Sequence, residues 1–323
     1  MSTKSPFDSL VTVYGGSGFL GRHVVRALAK RHYRIRVAVR RPDLAGHLQP
    51  LGRVGQIHAV QANIRDQASV DAAARDADVV VNLVGILAEG GRQRFGAVHS
   101  AGAEAVAKAA ARHGARMVHV SALGANERSS SQYACSKAEG ERRVIENVPG
   151  AVVFRPSIMF GPEDTFFNRF AAMARLSPML PLLGGGLSRF QPVFVGDVAS
   201  AVAAAADGHA KPGTVYEIGG PEIFTFKELM QFTLRTIGRR RILLPIPFPL
   251  ARPLATIAQF VPGAPLTPDQ VEMLRADNVV SSAAMSEGRT FEAFGIKPDS
   301  IAAIVPSYLW RFRKTGQFTS RHA

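Results

Sequence analysis

Over the first 155 residues, short runs that are apolar on both sides alternate with amphipathic stretches of ten or more residues. SLVTVYGG is followed by FLGRHVVRALAKRH and then RIRVAVR; ADVVVNLVG precedes AGAEAVAKAAARHG; RMVHVSALGA leads into a helical stretch around Tyr133; GAVVFRPSIMFGP closes the series. Continuous apolar runs suit strands covered on both faces, and helical crossovers between them make neighbouring strands parallel. The pattern predicts a Rossmann-type, doubly wound α/β domain over residues 1–160, its sheet completed by segments near 190–220. Beyond 160 the regularity weakens. DTFFNRFAAMARLSPMLPLLGGG reads as a helix and a loop, FQPVFVGDVASAVAAAA as a strand or turn entering a helix capped by Asp197, and TVYEIGGPE as another buried strand. From 222 onward the chain is helical and punctuated by proline. Residues 161–189 and 221–323 are therefore assigned to a smaller, mainly helical C-terminal lobe, woven into the first because no long linker divides them.

Directly after the first apolar run, VYGGSGFLGRHVV carries Gly15, Gly16, Gly18 and Gly21. Glycine permits a tight turn, lets the backbone approach a pyrophosphate and allows close helix–strand packing. The N–H groups opening the helix then face the anion. Gly15, Ser17, Gly18, Phe19, Leu20 and Gly21 are the expected cofactor-facing positions. The second strand ends in VAVRRPD, nineteen residues beyond Gly21, where an NAD site usually carries an acidic residue for the ribose. Arg40 and Arg41 stand there instead. A guanidinium pairs with a 2′-phosphate and stacks on adenine, which favours NADP(H). NAD(H) remains the alternative, with Asp43 placed to serve it. In QANIRD, Asn63 and Ile64 are expected to cover the adenine edge and face, and Asp66 to cap a helix. In NLVG, Val84 and Gly85 end the fourth strand with small residues that let the chain pass the cofactor closely.

Tyr133 and Lys137, four apart in QYACSKAEGE, share one face of a helix. Such a pair is either a proton-transferring catalyst or a grip on a bound nucleotide. Ser121, twelve residues upstream at a strand end, is the candidate third member. An unperturbed tyrosine titrates near ~10, so a neighbouring cation decides whether it can act near neutrality.

Composition narrows the setting. An apolar fraction of 46% and a charged fraction of 20% belong to a globular chain. The net charge of +14 favours anionic partners. Nucleic acid is not supported, because no recognition-helix, zinc-finger or aromatic RNA-reading motif is present. The single cysteine, Cys135, excludes an internal disulfide and fits a reducing compartment. The opening MSTKSPFDSLVTVYGG lacks both a secretion signal and a transit-peptide pattern, so a cytoplasmic location, or the cytoplasmic side of a membrane, is expected. RILLPIPFPLARPLATIAQFVPGAPL, residues 241–266, is apolar but broken by Pro245, Pro247, Pro249, Pro253, Pro262 and Arg252, too interrupted to span a bilayer. A short helix from about 250 to 260, flanked by GRRR at 238–241, suits either an anionic membrane surface or the cover of the lobe's own core. Trp310, Arg311, Arg313 and Lys314 add a similar basic, aromatic tail.

The glycine turn, NLVG, Ser121 in HVSALGA, the Tyr133/Lys137 spacing, RPSIMFGP, PVFVGDVASAV and YEIGGPE occur in the order found in the short-chain dehydrogenase/reductase superfamily, which residues 10–225 resemble in its extended or atypical branch. The resemblance implies that Pro156 and Ile158 also line the cofactor. It implies that the lysine bonds the nicotinamide ribose, with Tyr133 the proton donor and Ser121 orienting a carbonyl wherever the protein is active. YACSKAEGE, GGGLSRFQPVFVGDVA, FPLARPLATIAQFVPGAPLTPDQVEML and RADNVVS extend a closer similarity to the nucleotide-binding accessory subunits of respiratory complex I and their bacterial relatives. This implies a tightly held, mainly structural NADPH and partners in complex I or quinone-related membrane proteins. The implied location is peripheral, on the cytoplasmic face of the inner membrane. An NADPH-dependent reductase, epimerase or sterol-type dehydrogenase using Ser121, Tyr133 and Lys137 is the enzymatic alternative. A nucleotide-sensing regulator is the third.

Overall fold

The computed structural model describes residues 5–258 and 267–314; the expectations for Pro262 and for the last part of the tail fall outside them. The chain divides into two compact units: Met1–Pro156 with Gly196–Ile218 and Ser281–Ile296, and Ser157–Val195 with Gly219–Val280 and Lys297–Ala323. Residues 281–296, expected in the smaller lobe, belong to the first unit. Their place there is fixed by backbone pairing of Glu217 with Arg289 and by Phe294 packing on Phe154 and Tyr216. Such long-range contacts leave no local signature.

The first unit is built on β1 (Leu10–Tyr14), β2 (Arg34–Val39), β3 (Ile57–Gln61), β4 (Val79–Asn82), β5 (Arg116–Val120) and β6 (Val152–Pro156), joined by α1 (Phe19–Lys30), α2 (Gln67–Ala74), α3 (Ala101–Arg112) and α4 (Gln132–Asn147). The strand Val215–Ile218 completes a seven-stranded sheet, in the order Val215–Ile218, β6, β5, β4, β1, β2, β3. Every pair is parallel. The order reverses between β1 and β4, and ligands of such sheets bind outside the carboxyl ends at that switch. Val11, Val13, Val79, Val80 and Val81 are fully buried, as continuous apolar strands between two helix layers must be.

Small residues bring the layers close. Gly102, Ala103, Ala107 and Ala110 form the buried stripe of α3. On α4, a Cβ at Gly140 would lie 2.2 Å from the carbonyl oxygen of His99. Arg155 on β6 ties α4 to the sheet through Glu141, with Nε–Oε1 at 3.0 Å and Nη2–Oε2 at 2.6 Å. Asp66 caps α2 by accepting from the Ala68 N–H. Asp197, expected as a cap, lies inside the first turn of the helix Val195–Ala206, which begins two residues earlier. Acidic residues suit either place, since both face the helix's positive end.

The second unit is mainly helical, with short strand pairs such as Met179–Leu183 on Ile242–Ile246. Its core is rich in phenylalanine, with Phe160, Phe167, Phe190 and Phe226 buried. Tyr308 donates to the buried Asp164 carboxylate at 2.5 Å, and burial raises the Asp164 pKa. The helix expected near 250–260 runs over Phe248–Ala258. Ala251 and Ala255 are buried with Val271, as the core reading expects, while Leu250 and Leu254 face outward.

Gly140→Ala is expected to destabilise the protein by about 1–3 kcal/mol, because the clash is with backbone rather than with a movable side chain. Denaturant unfolding checks this; an unchanged midpoint would mean that α3 and α4 are not held this close.

Candidate active site at the carboxyl edge of the sheet

The glycine turn is shaped by steric necessity. Gly15 adopts φ +79°, and its carbonyl accepts the Gly18 N–H at 3.0 Å. A Cβ at Gly21 would lie 2.3 Å from the Gly15 oxygen, and one at Gly16 2.7 Å from Val37. Gly18 precedes α1, whose ladder starts with Arg22 N–H donating to Gly18 O. The N–H groups of Phe19, Leu20 and Gly21 thus belong to the turn that has no intrahelical acceptors. They supply an anion site. The Leu20 side chain is core, and Ser17 and Phe19 are half-buried. Val84 comes within 3.2 Å of where a Gly15 Cβ would be, so the turns after β1 and β4 meet at the switch point.

The adenosine end differs in part from expectation. Arg40 is exposed at the end of β2. Arg41 is gripped in a fork by Asp43, with Nη2–Oδ2 at 2.9 Å and Nε–Oδ1 at 3.3 Å. The hydrogen bond holds Asp43 below the usual carboxylate range and raises Arg41. The two arginines are therefore not an equivalent pair: Arg40 presents its charge, whereas Arg41 must first exchange an exposed ion pair. Asn63 Oδ1 accepts from the Arg65 N–H, and Asn63 N–H donates to Ser69. Ile64, expected over the adenine face, is only 8% exposed and packs against Gly102 in the core beneath β3.

At the other end, Ser131 caps α4 by accepting from the Ala134 N–H. This cap, two residues before Tyr133, sets the start of the helix and turns Tyr133 and Lys137 inward, where both are buried. Lys137 Nζ lies 6.0 Å from the Tyr133 ring centroid and donates to Val120 O at 3.3 Å. It would also sit 3.2 Å from a Cβ at Gly85, so glycine there leaves the ammonium room. Burial pulls the Lys137 pKa down to about 8, with Glu141 opposing the shift. Ser121, directly after β5, has a buried Oγ with no hydrogen-bond partner among the described residues. Pro156 ends β6 and accepts from the Leu123 N–H. Ile158 is the second residue of the second unit, its N–H donating to Asn278 Oδ1. Cys135 turns its sulfur to the Ser129 carbonyl, consistent with a small filler.

Two histidines at this edge carried no sequence signal. A π turn over Gly96–Ser100 leads into α3 and places His99 under α4. His99 Nε2 accepts from the Ile86 N–H at 3.0 Å, so Nδ1 carries the proton donated to Ser136 Oγ at 2.9 Å. Ser136 passes the chain to the Tyr133 carbonyl. His119 on β5 faces Asn82, the first residue of NLVG, on β4. Burial and the Lys137 charge push both imidazoles down to about 3, so both are neutral near pH 7. Isolated histidines in apolar runs carry no spacing that marks a site.

The residues fit a dinucleotide. A turn crowded at Gly16 and Gly21 would suit a pyrophosphate, and a buried ammonium with one long bond among the described residues would suit ribose hydroxyls. When bound, the cofactor supplies a hydride acceptor or donor. With a cofactor in place, the chain's own residues would orient it and exclude water, and Tyr133 would be the group placed to hold a proton. Among the described residues, no cluster of His, Cys, Asp or Glu could hold a metal.

Fold and site together define a nucleotide-binding protein of the short-chain dehydrogenase/reductase type. Residues 11–219 match the NAD dependent epimerase/dehydratase family, and the chain belongs to it. The chain is 34% identical over 320 residues to NADH dehydrogenase [ubiquinone] 1 alpha subcomplex subunit 9, mitochondrial, of Arabidopsis thaliana, covering 95% of this chain and 79% of that one. It is 32% identical over 289 residues to the ceramide reductase of Caulobacter vibrioides, covering 86% and 88%. Among solved structures, the Escherichia coli NADPH-dependent quinone oxidoreductase QOR2 complexed with NADPH shares the fold, with a TM-score of 0.72 at 20% identity over 93% of this chain and 99% of that one.

Because the folded pKa of Lys137 lies below its unfolded value of 10.5, the unfolded chain binds more protons between about pH 8 and 10.5. The cofactor-free protein should gain about 3 kcal/mol of stability across that window as the ammonium is lost. Lys137→Met should remove this gain and be more stable than the parent at pH 7. Paired denaturant titrations at pH 7 and pH 10 decide it; parallel curves for parent and variant would refute the buried charge.

Proposed function

We propose that this protein keeps NADP(H) as a long-lived structural cofactor and acts beside respiratory complex I or a related quinone system at a membrane surface. The observation that carries the reading is Lys137: only 5% exposed, its ammonium has a single 3.3 Å bond among the described residues. A nucleotide ribose beside it would satisfy that charge, and any ligand that binds only the native state stabilises the fold. Arg40 at the end of β2 supports the phosphorylated cofactor. Similarity to complex I subunits over nearly the whole chain supports the setting.

Among the described residues no helix is long and apolar enough to cross a membrane. The second unit offers a surface for contact instead. Ile242 is 64% exposed and Leu250 59%, with Met179, Leu244 and Leu254 also exposed, and Arg175, Arg240 and Arg252 are exposed on the same unit. Apolar side chains edged by cations suit the interface of an anionic bilayer.

The second reading, an NADPH-dependent carbonyl reductase, is favoured by the partnerless Ser121 hydroxyl, which suits a substrate oxygen better than a purely structural role. In that case Ser121 orients the carbonyl, Tyr133 gives the proton and Lys137 lowers the cost of that transfer.

Gentle purification followed by native mass measurement should find NADP(H) bound at near one per chain. An empty protein that ignores added NADPH would contradict the reading, and rapid NADPH consumption with a metabolite would establish the reductase instead. Arg40→Ala should weaken NADPH at least tenfold and NADH little, as read by cofactor fluorescence; equal losses would remove the phosphate contact. Leu250→Asp with Leu254→Asp should abolish co-sedimentation with anionic vesicles, and an undiminished pellet would exclude this surface.

A further inference from the structure

The carboxyl end of β5 holds more hydrogen-bond donors than the protein itself can match. His119 is 2% exposed and Ser121 4%; the first lies within β5 and the second is the residue directly after it. Among the described residues, neither His119 Nε2 nor Ser121 Oγ has a partner. The other half of the imidazole is fully specified. Asn82 Oδ1 accepts from the Val84 N–H at 3.2 Å, which turns its Nδ2 toward His119 Nδ1, also at 3.2 Å. An amide N–H in that place requires a lone pair on Nδ1, so the proton of neutral His119 sits on Nε2. His119 is therefore a fixed donor with nothing to donate to. Buried donors in folded proteins almost always have an acceptor, and a phenylalanine would fill the same space without the cost of an unmet N–H.

Lys137 belongs to the same place. Its Nζ bonds the carbonyl of Val120, the residue between His119 and Ser121, and its charge helps keep His119 neutral. An ammonium has three N–H groups, and among the described residues this one uses a single bond. His99, by contrast, is satisfied at both nitrogens. What the site lacks is an acceptor. Cations are thereby unsuited to it, and an oxygen with lone pairs is what its donors require.

We propose that His119 and Ser121, on either side of the Val120 carbonyl that Lys137 bonds, form a buried site for one accepting oxygen, with the Nε2–H of His119 as its anchoring donor. The oxygen comes from an ordered water or from a hydroxyl or carbonyl of a bound small molecule. In either case it orients the Ser121 hydroxyl and offers the Lys137 ammonium a second acceptor. His119 acts as a positioning residue. The site does not require that the cofactor be NADP(H).

Imidazole nitrogen NMR on the full-length protein labelled with nitrogen-15 histidine tests this, without and then with NADPH as the probe. His119 should be the Nε2–H tautomer near pH 7, with a slowly exchanging proton shifted as in a hydrogen bond. A water source gives a through-space exchange signal from that proton to bound water, retained with NADPH present. A nucleotide source abolishes the water signal on NADPH addition while the hydrogen-bonded shift persists. Ser121→Ala, which only removes an unmet hydroxyl, should fold normally and move the His119 Nε2 resonance. An Nδ1–H tautomer, a shift typical of an unbonded ring with and without NADPH, or a resonance indifferent to Ser121→Ala would each overturn the proposal. Cofactor fluorescence in the same samples shows separately whether NADPH has bound, so failure of the cofactor reading is distinguishable.

Discussion

A positive charge buried without a matching anion sets the terms for this molecule. Lys137 reaches the sheet edge from the second turn of α4, and Glu141 one turn further on is already engaged by Arg155. The ammonium is left with a peptide oxygen, and a lone buried ion of this kind costs several kcal/mol. Much of the first unit holds that arrangement in place. The Ser131 cap fixes where α4 begins, Gly140 lets it sit on His99, and Gly85 clears the space ahead of Nζ. Stability is thus diminished locally at a position where a bound ribose would restore it, as is common at functional sites.

The features legible in the sequence were those with short-range physical causes. Apolar runs on β1, β4 and β5 declared a covered parallel sheet, and the glycines from Gly15 to Gly21 declared the turn, because both depend on neighbours within a few residues. Asp66 as a cap was equally local. Asp197 lies inside the first turn instead of at the cap because that turn rewards an acid as a cap does. Ile64 looked available for adenine, but its burial depends on Gly102, thirty-eight residues later. Arg41 and Asp43 are only two residues apart, yet their fork depends on side-chain geometry that spacing does not determine. His99 and His119 could not be singled out: their meaning lies in Ile86, Ser136 and Asn82, brought together by a π turn and by strand pairing.

The two units divide the work by composition. Aliphatic and small residues in the first allow backbone to approach backbone closely, which a nucleotide turn requires. Interlocking rings fill the second, where Phe166 contacts Phe167, Phe170, Phe190 and Phe226. On its helix Phe248–Ala258, alanine faces in and leucine out, so one short element both closes a core and presents apolar surface. Such a segment reads ambiguously in sequence because it serves both purposes.

The central claim is that the Lys137 ammonium is buried at a cost and that a bound nucleotide relieves it. Direct titration of the Lys137 side chain by NMR, in the cofactor-free protein and again with NADPH, tests this most directly. The account predicts a pKa near the depressed value of about 8 without cofactor and a clear rise when NADPH is bound. An ordinary lysine titration in the free protein, or a depressed one that NADPH leaves unmoved, would contradict it.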